Sequence, residues 1–178
     1  QLSLLSIPGA KEVALELNSL SKSHNMAGWR LGMLAGHSGY VSAVLQVKSN
    51  MDSGMFKPLQ LAAVKALRQP ANWYRQLNEI YRERRVVAFE ILNALQCTYD
   101  KNQVGMFVWA KIPKESQGSE QFSDKILEDN QVFLTPGFIF GPGGTRYIRL
   151  SLCTEKSRLL EAASRIKEKP IIKQEIFL

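Results

Sequence analysis

Residues 19–32 read Ser19-Leu20-Ser21-Lys22-Ser23-His24-Asn25-Met26-Ala27-Gly28-Trp29-Arg30-Leu31-Gly32. Just before them, Val13, Leu15 and Leu17 alternate with more polar neighbours, which predicts a strand over Val13–Ser19. Just after, the apolar run Leu31–Ala35 predicts a second short strand, leaving Leu20–Trp29 as the loop between them. A single lysine therefore stands at the end of an alternating strand, in a small hydroxyl-rich loop, with Arg30 eight residues further on. Strand ends that gather loop residues at one edge are where α/β proteins build ligand sites.

The residue types suggest a chemistry. A protonated lysine amine is a poor nucleophile, and desolvation or a neighbouring cation frees it to form an imine with a carbonyl. Arg30 supplies such a cation and a two-pronged contact for a phosphate, and Ser19 and Ser21 add hydroxyl donors. Pyridoxal 5'-phosphate carries both an aldehyde and a phosphate, so it fits the set. On spacing alone, a solvated lysine in a serine-rich loop stays open as the alternative, since short motifs recur by chance.

The fourteen residues resemble the lysine signature of the class I and II pyridoxal-phosphate-dependent aminotransferases, enzymes of fold type I. The pattern runs small, apolar, small, Lys, two free positions, small, apolar, one free, Gly, one free, Arg, apolar, Gly, and every specified position matches. The portion Met26-Ala27-Gly28-Trp29-Arg30 especially resembles the large branch that holds aspartate-, alanine-, aromatic- and diaminopimelate-type enzymes. The resemblance implies that Lys22 is catalytic and bonds the cofactor as a Schiff base. It also implies that Ser19, Ser21 and Arg30 hold the cofactor's phosphate. His24 falls on a free position and reads as a loop-packing residue.

A second stretch, Leu134-Thr135-Pro136-Gly137-Phe138-Ile139-Phe140-Gly141-Pro142-Gly143-Gly144-Thr145-Arg146-Tyr147-Ile148-Arg149-Leu150-Ser151-Leu152, demands turns at its glycines. Alternation then puts Tyr147, Arg149 and Ser151 on one strand face and Ile148, Leu150 and Leu152 on the other. An arginine on a strand suited to burial needs an anionic partner. That partner is an internal carboxylate or one brought by a ligand. The stretch resembles the same family's C-terminal segment, which implies that Arg149 grips the substrate's α-carboxylate. Arg146 faces the other way and is expected to be exposed. A weaker resemblance in Ser49–Gln60 implies that Ser53 reaches the active site of a partner subunit.

Working outward, helices are predicted over Ser38–Lys48, from Pro58 to about Arg68, and over Asn72–Leu95, where apolar residues recur near every 3.6 positions. Ser49–Gly54 reads as a loop. Further strands are predicted near Met106–Ile112, Val132–Leu134 and Tyr147–Leu152, with helices near Ser119–Glu128 and after Thr154, whose hydroxyl is the expected cap.

Composition is that of a globular protein: 178 residues, 45% hydrophobic, 22% charged. Lys and Arg number 23 against 16 Asp and Glu, a formal charge of +7. The densest cluster, Arg82-Glu83-Arg84-Arg85, carries interspersed acids and no interleaved stacking aromatics, so it reads as a solvated helix face rather than a nucleic-acid patch. No apolar run reaches the length of a membrane span. Cys97 and Cys153 form no metal or redox pattern and read as free, buried thiols in a reducing cytoplasm. Neither a metal, a nucleic acid nor a membrane is expected as partner.

The fold expected is mixed α/β and α+β. Residues 1–70 would be the end of a large cofactor-binding α/β domain, 71–95 a long connecting helix, and 96–178 a small C-terminal α+β domain. The resemblance covers the family's C-terminal part, somewhat less than half, so the chain reads as a fragment that is inactive alone. It implies an aminotransferase acting on amino-acid and 2-keto-acid substrates as a homodimer. Two alternatives stand beside it: a carbon–sulfur β-lyase with the same cofactor, and a noncatalytic ligand-binding or regulatory module on the same fold.

Overall fold

The computed structural model describes residues 3–170. The chain divides into two compact units, Gln1–Ala71 and Asn72–Leu178.

In the first unit, a one-turn helix α1 (Ala10–Val13) leads into strand β1 (Leu15–Ser19), then the one-turn helix α2 (Leu20–Ser23) and strand β2 (Gly32–Gly36). β1 and β2 pair antiparallel, from Leu15 opposite Gly36 to Ser19 opposite Gly32. Val13, expected in the strand, belongs to α1, because Gly9 in the left-handed region (φ 80°) starts a turn that the Ala14 N–H closes on Ala10 O. The expected loop Leu20–Trp29 is mostly helical: α2 is followed by a 3-10 turn, Ala27–Trp29. Helices α3 (Ser38–Met51) and α4 (Lys57–Leu67) follow. α3 runs past Lys48 because polar side chains bond back along it: Asn50 Nδ2 donates to Gln46 O at 2.7 Å, and Lys48 pairs with Asp52. Pro58 sits in the first turn of α4, where its missing N–H costs nothing.

The second unit is built on α5 (Ala71–Ala94), which opens directly after Pro70. Gln96 in the left-handed region (φ 54°) ends it, and the Cys97 N–H closes on Leu92 O at 2.9 Å. Strands β3 (Phe107–Lys111), β4 (Thr135–Pro136) and β5 (Tyr147–Ser151) form an antiparallel sheet in the order β3-β5-β4. Helices α6 (Ser119–Asn130) and α7 (Lys156–Glu168) complete it. Val108, Ala110, Ile148 and Leu150 from the sheet meet Val87, Ile91 and Leu92 of α5, Phe122 and Ile126 of α6, and Leu159, Ala163 and Ile166 of α7 in one buried core. β4 lies at Thr135–Pro136 rather than Val132–Leu134, since only those two residues pair with β5, while Leu134 O is taken by the Ser123 hydroxyl. Glu155, not Thr154, caps α7, without a side-chain bond.

Two expectations about charge and thiols change. Arg82 is exposed and pairs with Glu79, but Arg84 and Arg85 are half-buried and donate to backbone: Arg84 to Leu152 O at 3.0 Å, Arg85 to Gly105 O at 2.7 Å. Half of the cluster thus ties the helix to loops of its own unit. Both cysteines are free, yet only Cys97 is buried and Cys153 is exposed. Among the described residues no helix is long and apolar enough to cross a membrane, and no group of three or more His, Cys, Asp or Glu could hold a metal ion.

Candidate active-site elements

The lysine loop explains its own pattern. Its apolar positions, Leu20, Met26 and Leu31, are the buried hydrophobic residues of the first unit among those described, packed against Leu59, Ala62, Ala63 and Ala66. Backbone bonds close the loop on itself: Leu20 N–H on Leu31 O at 3.1 Å and Met26 N–H on Leu20 O at 3.3 Å. The small position Asn25 lies in the left-handed region (φ 55°) just past α2, a place glycine or asparagine takes most readily. At Gly32 a Cβ would come within 3.1 Å of Asn18 O, across the β1–β2 pair.

With the apolar positions turned inward, the polar ones remain. Ser19 ends β1, and its Oγ accepts the Ser21 N–H at 3.2 Å, so its hydroxyl hydrogen is left to donate. Lys22 is exposed and makes no hydrogen bond or ion pair among the described residues. Arg30 is exposed, holds a left-handed backbone (φ 53°) and gives one Nη1 bond to Ala27 O at 3.2 Å. A non-glycine residue in that region is held there by its surroundings, a form of strain that gathers at functional sites. His24 is half-buried with Nδ1 2.8 Å from Ser23 Oγ, in keeping with a packing residue. Ser53 is exposed in the turn after α3, beside Gly54 at φ 99°.

Arg149 is placed as alternation predicts. In β5, Ile148 and Leu150 are buried while Tyr147, Arg149 and Ser151 are half-buried on the other face. Among the described residues Arg149 has no salt bridge. Its guanidinium lies 4.2 Å from the ring centre of Phe107 and 4.4 Å from that of Phe140, and its Nε is buried with no hydrogen-bond partner. A buried, unpartnered guanidinium donor is a standing cost unless an anion meets it. Sequence reasoning missed the two rings. Phe107 could have been found by carrying the alternation of β3 opposite β5, whereas Phe140 arrives through turn geometry that no periodicity encodes. Arg146, expected to be exposed, is half-buried and donates to Ser116 O and Pro113 O, pinning the loop before α6.

Comparison with known proteins decides the family. The model for aminotransferase class I and II matches residues 6–166. The chain belongs to that family. It is 41% identical to the LL-diaminopimelate aminotransferase of Maridesulfovibrio salexigens over 94% of its own length and 43% of that protein's. With the LL-diaminopimelate aminotransferase of Aquifex aeolicus it shares 39% over 93% and 42%. Among solved structures it is similar to a probable N-succinyldiaminopimelate aminotransferase of Thermus thermophilus (36% identity, TM-score 0.82, 93% of this chain and 44% of that one). It is also similar to an aromatic aminotransferase of Pyrococcus horikoshii (28%, TM-score 0.82, 93% and 45%). The chain thus spans less than half the length of these relatives. Class I and II aminotransferases depend on pyridoxal phosphate. The donor set here suits that group: an exposed amine, two hydroxyls and a guanidinium on one closed loop.

Proposed function

We propose that this chain is the lysine- and carboxylate-holding portion of an aminotransferase that moves an amino group between an amino acid and a 2-keto acid. Residues 1–70 would end its cofactor domain, 71–95 form the connecting helix and 96–178 the small domain. The observation carrying this reading is the lysine loop, whose three apolar motif positions form the unit's core and leave Lys22, Ser19, Ser21 and Arg30 for ligand.

Lys22 Nζ would be the group that holds the cofactor at its aldehyde end. Ser19 and Ser21 hydroxyls and the free Arg30 donors would hold its phosphate, the last by a charge-assisted fork. When bound, the cofactor supplies an electron sink that makes the substrate's Cα–H acidic. Lys22 Nζ, free as an amine once substrate is bound, would take up the proton at the substrate's Cα as a general base and hold it for return as a general acid. Arg149 would hold the substrate's α-carboxylate by a two-bond fork. The relatives' names differ in the substrate side chain, from LL-diaminopimelate to aromatic, but an α-amino acid head is common to them. Lys22 and Arg149 would read that common head. We further propose a homodimer, with Ser53 on the exposed turn after α3 reaching the partner's site, and a cytoplasmic setting that suits the free thiols.

Borohydride reduction of the protein mixed with pyridoxal phosphate, followed by peptide mapping, tests the central assignment. A pyridoxyl mass on the peptide holding Lys22, lost in Lys22→Ala, is expected. Labelling that persists unchanged in Lys22→Ala would overturn it.

A further inference from the structure

Among the described residues, the guanidinium of Arg149 meets two aromatic rings and no hydrogen-bond partner. Phe107 lies 4.2 Å away and Phe140 4.4 Å away, ring centre to guanidinium carbon. Phe107 comes from the start of β3, opposite Ser151 in the sheet, and so shares the Arg149 face of the strand pair. Phe140 comes from the 3-10 turn Gly137–Phe140, and its edge rests on Trp109 (centroids 5.7 Å, 69°), which in turn stacks on Tyr147 (5.4 Å, 12°). Trp109 is itself fixed by Gln103, which bonds both its N–H and its carbonyl. The turn that delivers Phe140 closes by backbone contact: a Cβ on Gly144 would fall 1.9 Å from Gly137 O, and one on Gly137 would fall 2.4 Å from Gly144 O. Two rings attract a cation through their faces, which uses none of its N–H donors.

We propose that Phe107 and Phe140 are positioning residues that clamp Arg149 so that its in-plane donors stay free and pre-aimed for a carboxylate, an inference that rests on reading Arg149 as the carboxylate holder. A carboxylate needs two parallel N–H bonds in the guanidinium plane. A hydrogen-bonded anchor would consume those donors, whereas a ring anchor leaves them. It also removes water beside the fork, which strengthens the bond that forms there. Phe140 is 51% exposed, so its replacement removes the ring without opening the core.

The test uses the pyridoxal-phosphate-loaded holoenzyme and two halves of alanine: propionate, which keeps the carboxylate, and ethylamine, which keeps the amine. Phe107→Leu and Phe140→Leu should each weaken propionate binding about tenfold and leave ethylamine unchanged, while Phe140→Tyr should restore propionate. In parallel, the Arg149 Nε–H proton resonance should be shifted upfield by the two rings in wild type and move downfield in either Leu variant. Normal propionate binding in both Leu variants, with binding lost in Arg149→Ala, would overturn the clamp alone. Normal binding in Arg149→Ala would overturn the carboxylate assignment beneath it.

Discussion

The two units of this chain bury very different amounts of apolar surface. In the second, helices α5, α6 and α7 and the three-stranded sheet enclose a core in which Ile91, Leu92, Ile126, Ile148 and Ile166 are at most 1% exposed. In the first, Leu20, Met26 and Leu31 are buried, while Val13, Leu17 and Met51 stand 77%, 81% and 78% exposed. Domains fold because buried apolar area outweighs chain entropy. By that measure the second unit is self-sufficient, and the lysine-bearing unit leaves much of its apolar surface uncovered. Exposed apolar surface on that scale marks a place where other protein belongs.

The largest test of the contrast is to separate the units. Residues 72–170 alone should unfold in one cooperative transition with native near-ultraviolet circular dichroism, and residues 1–71 alone should show none and bind a hydrophobic dye. Cooperative unfolding of 1–71 would break the comparison. Next come paired truncations. Ile148→Ala should cost about 2–5 kcal/mol in urea unfolding, as deletions in a close-packed core do. Leu17→Ala should change stability by less than about 0.5 kcal/mol, as exposed positions do. Gly144→Ala should cost about 1–3 kcal/mol by forcing the Gly137 backbone away, and should loosen Phe140 from Arg149 with it.

The smallest effect concerns the thiols. Burial pushes the Cys97 thiol from 9.0 up to about 12, whereas Cys153 is exposed. The folded chain keeps a proton that the unfolded chain releases, so this contribution to stability is whole below pH 9 and is lost as pH climbs toward 12. Iodoacetamide at pH 8 should therefore alkylate Cys153 and spare Cys97, and Cys97→Ala should flatten part of the alkaline loss of stability. Equal alkylation of both would show that the second unit is less closed than its core implies.

The sequence made the elements legible where local chemistry decides them. Pro58 opening α4, the alternation of β5 and the length of α5 all follow from side-chain period and backbone restriction. So did the family, because the lysine loop's small and apolar positions are fixed by its own short-range closure. What escaped depends on distant partners. Arg84 and Arg85 look solvated until Leu152 O and Gly105 O arrive from loops 68 and 20 residues away. Arg146 looks exposed until the Pro113–Ser116 turn folds over it. The rings around Arg149 are brought together by the sheet register and by a glycine-to-glycine approach, neither of which has a period to read.

β5 lies between β3 and β4 and is held in register from both sides, with Trp109 and Thr135 each opposite Arg149. The strand therefore works as a ruler with a parity. Delete one residue between Gly144 and Arg149 and the guanidinium would be turned toward the helices, with Leu150 in its place between the rings. Composition and charge would scarcely change, yet the proposed carboxylate contact would vanish. Insertions and deletions in this stretch should thus be tolerated in pairs or not at all.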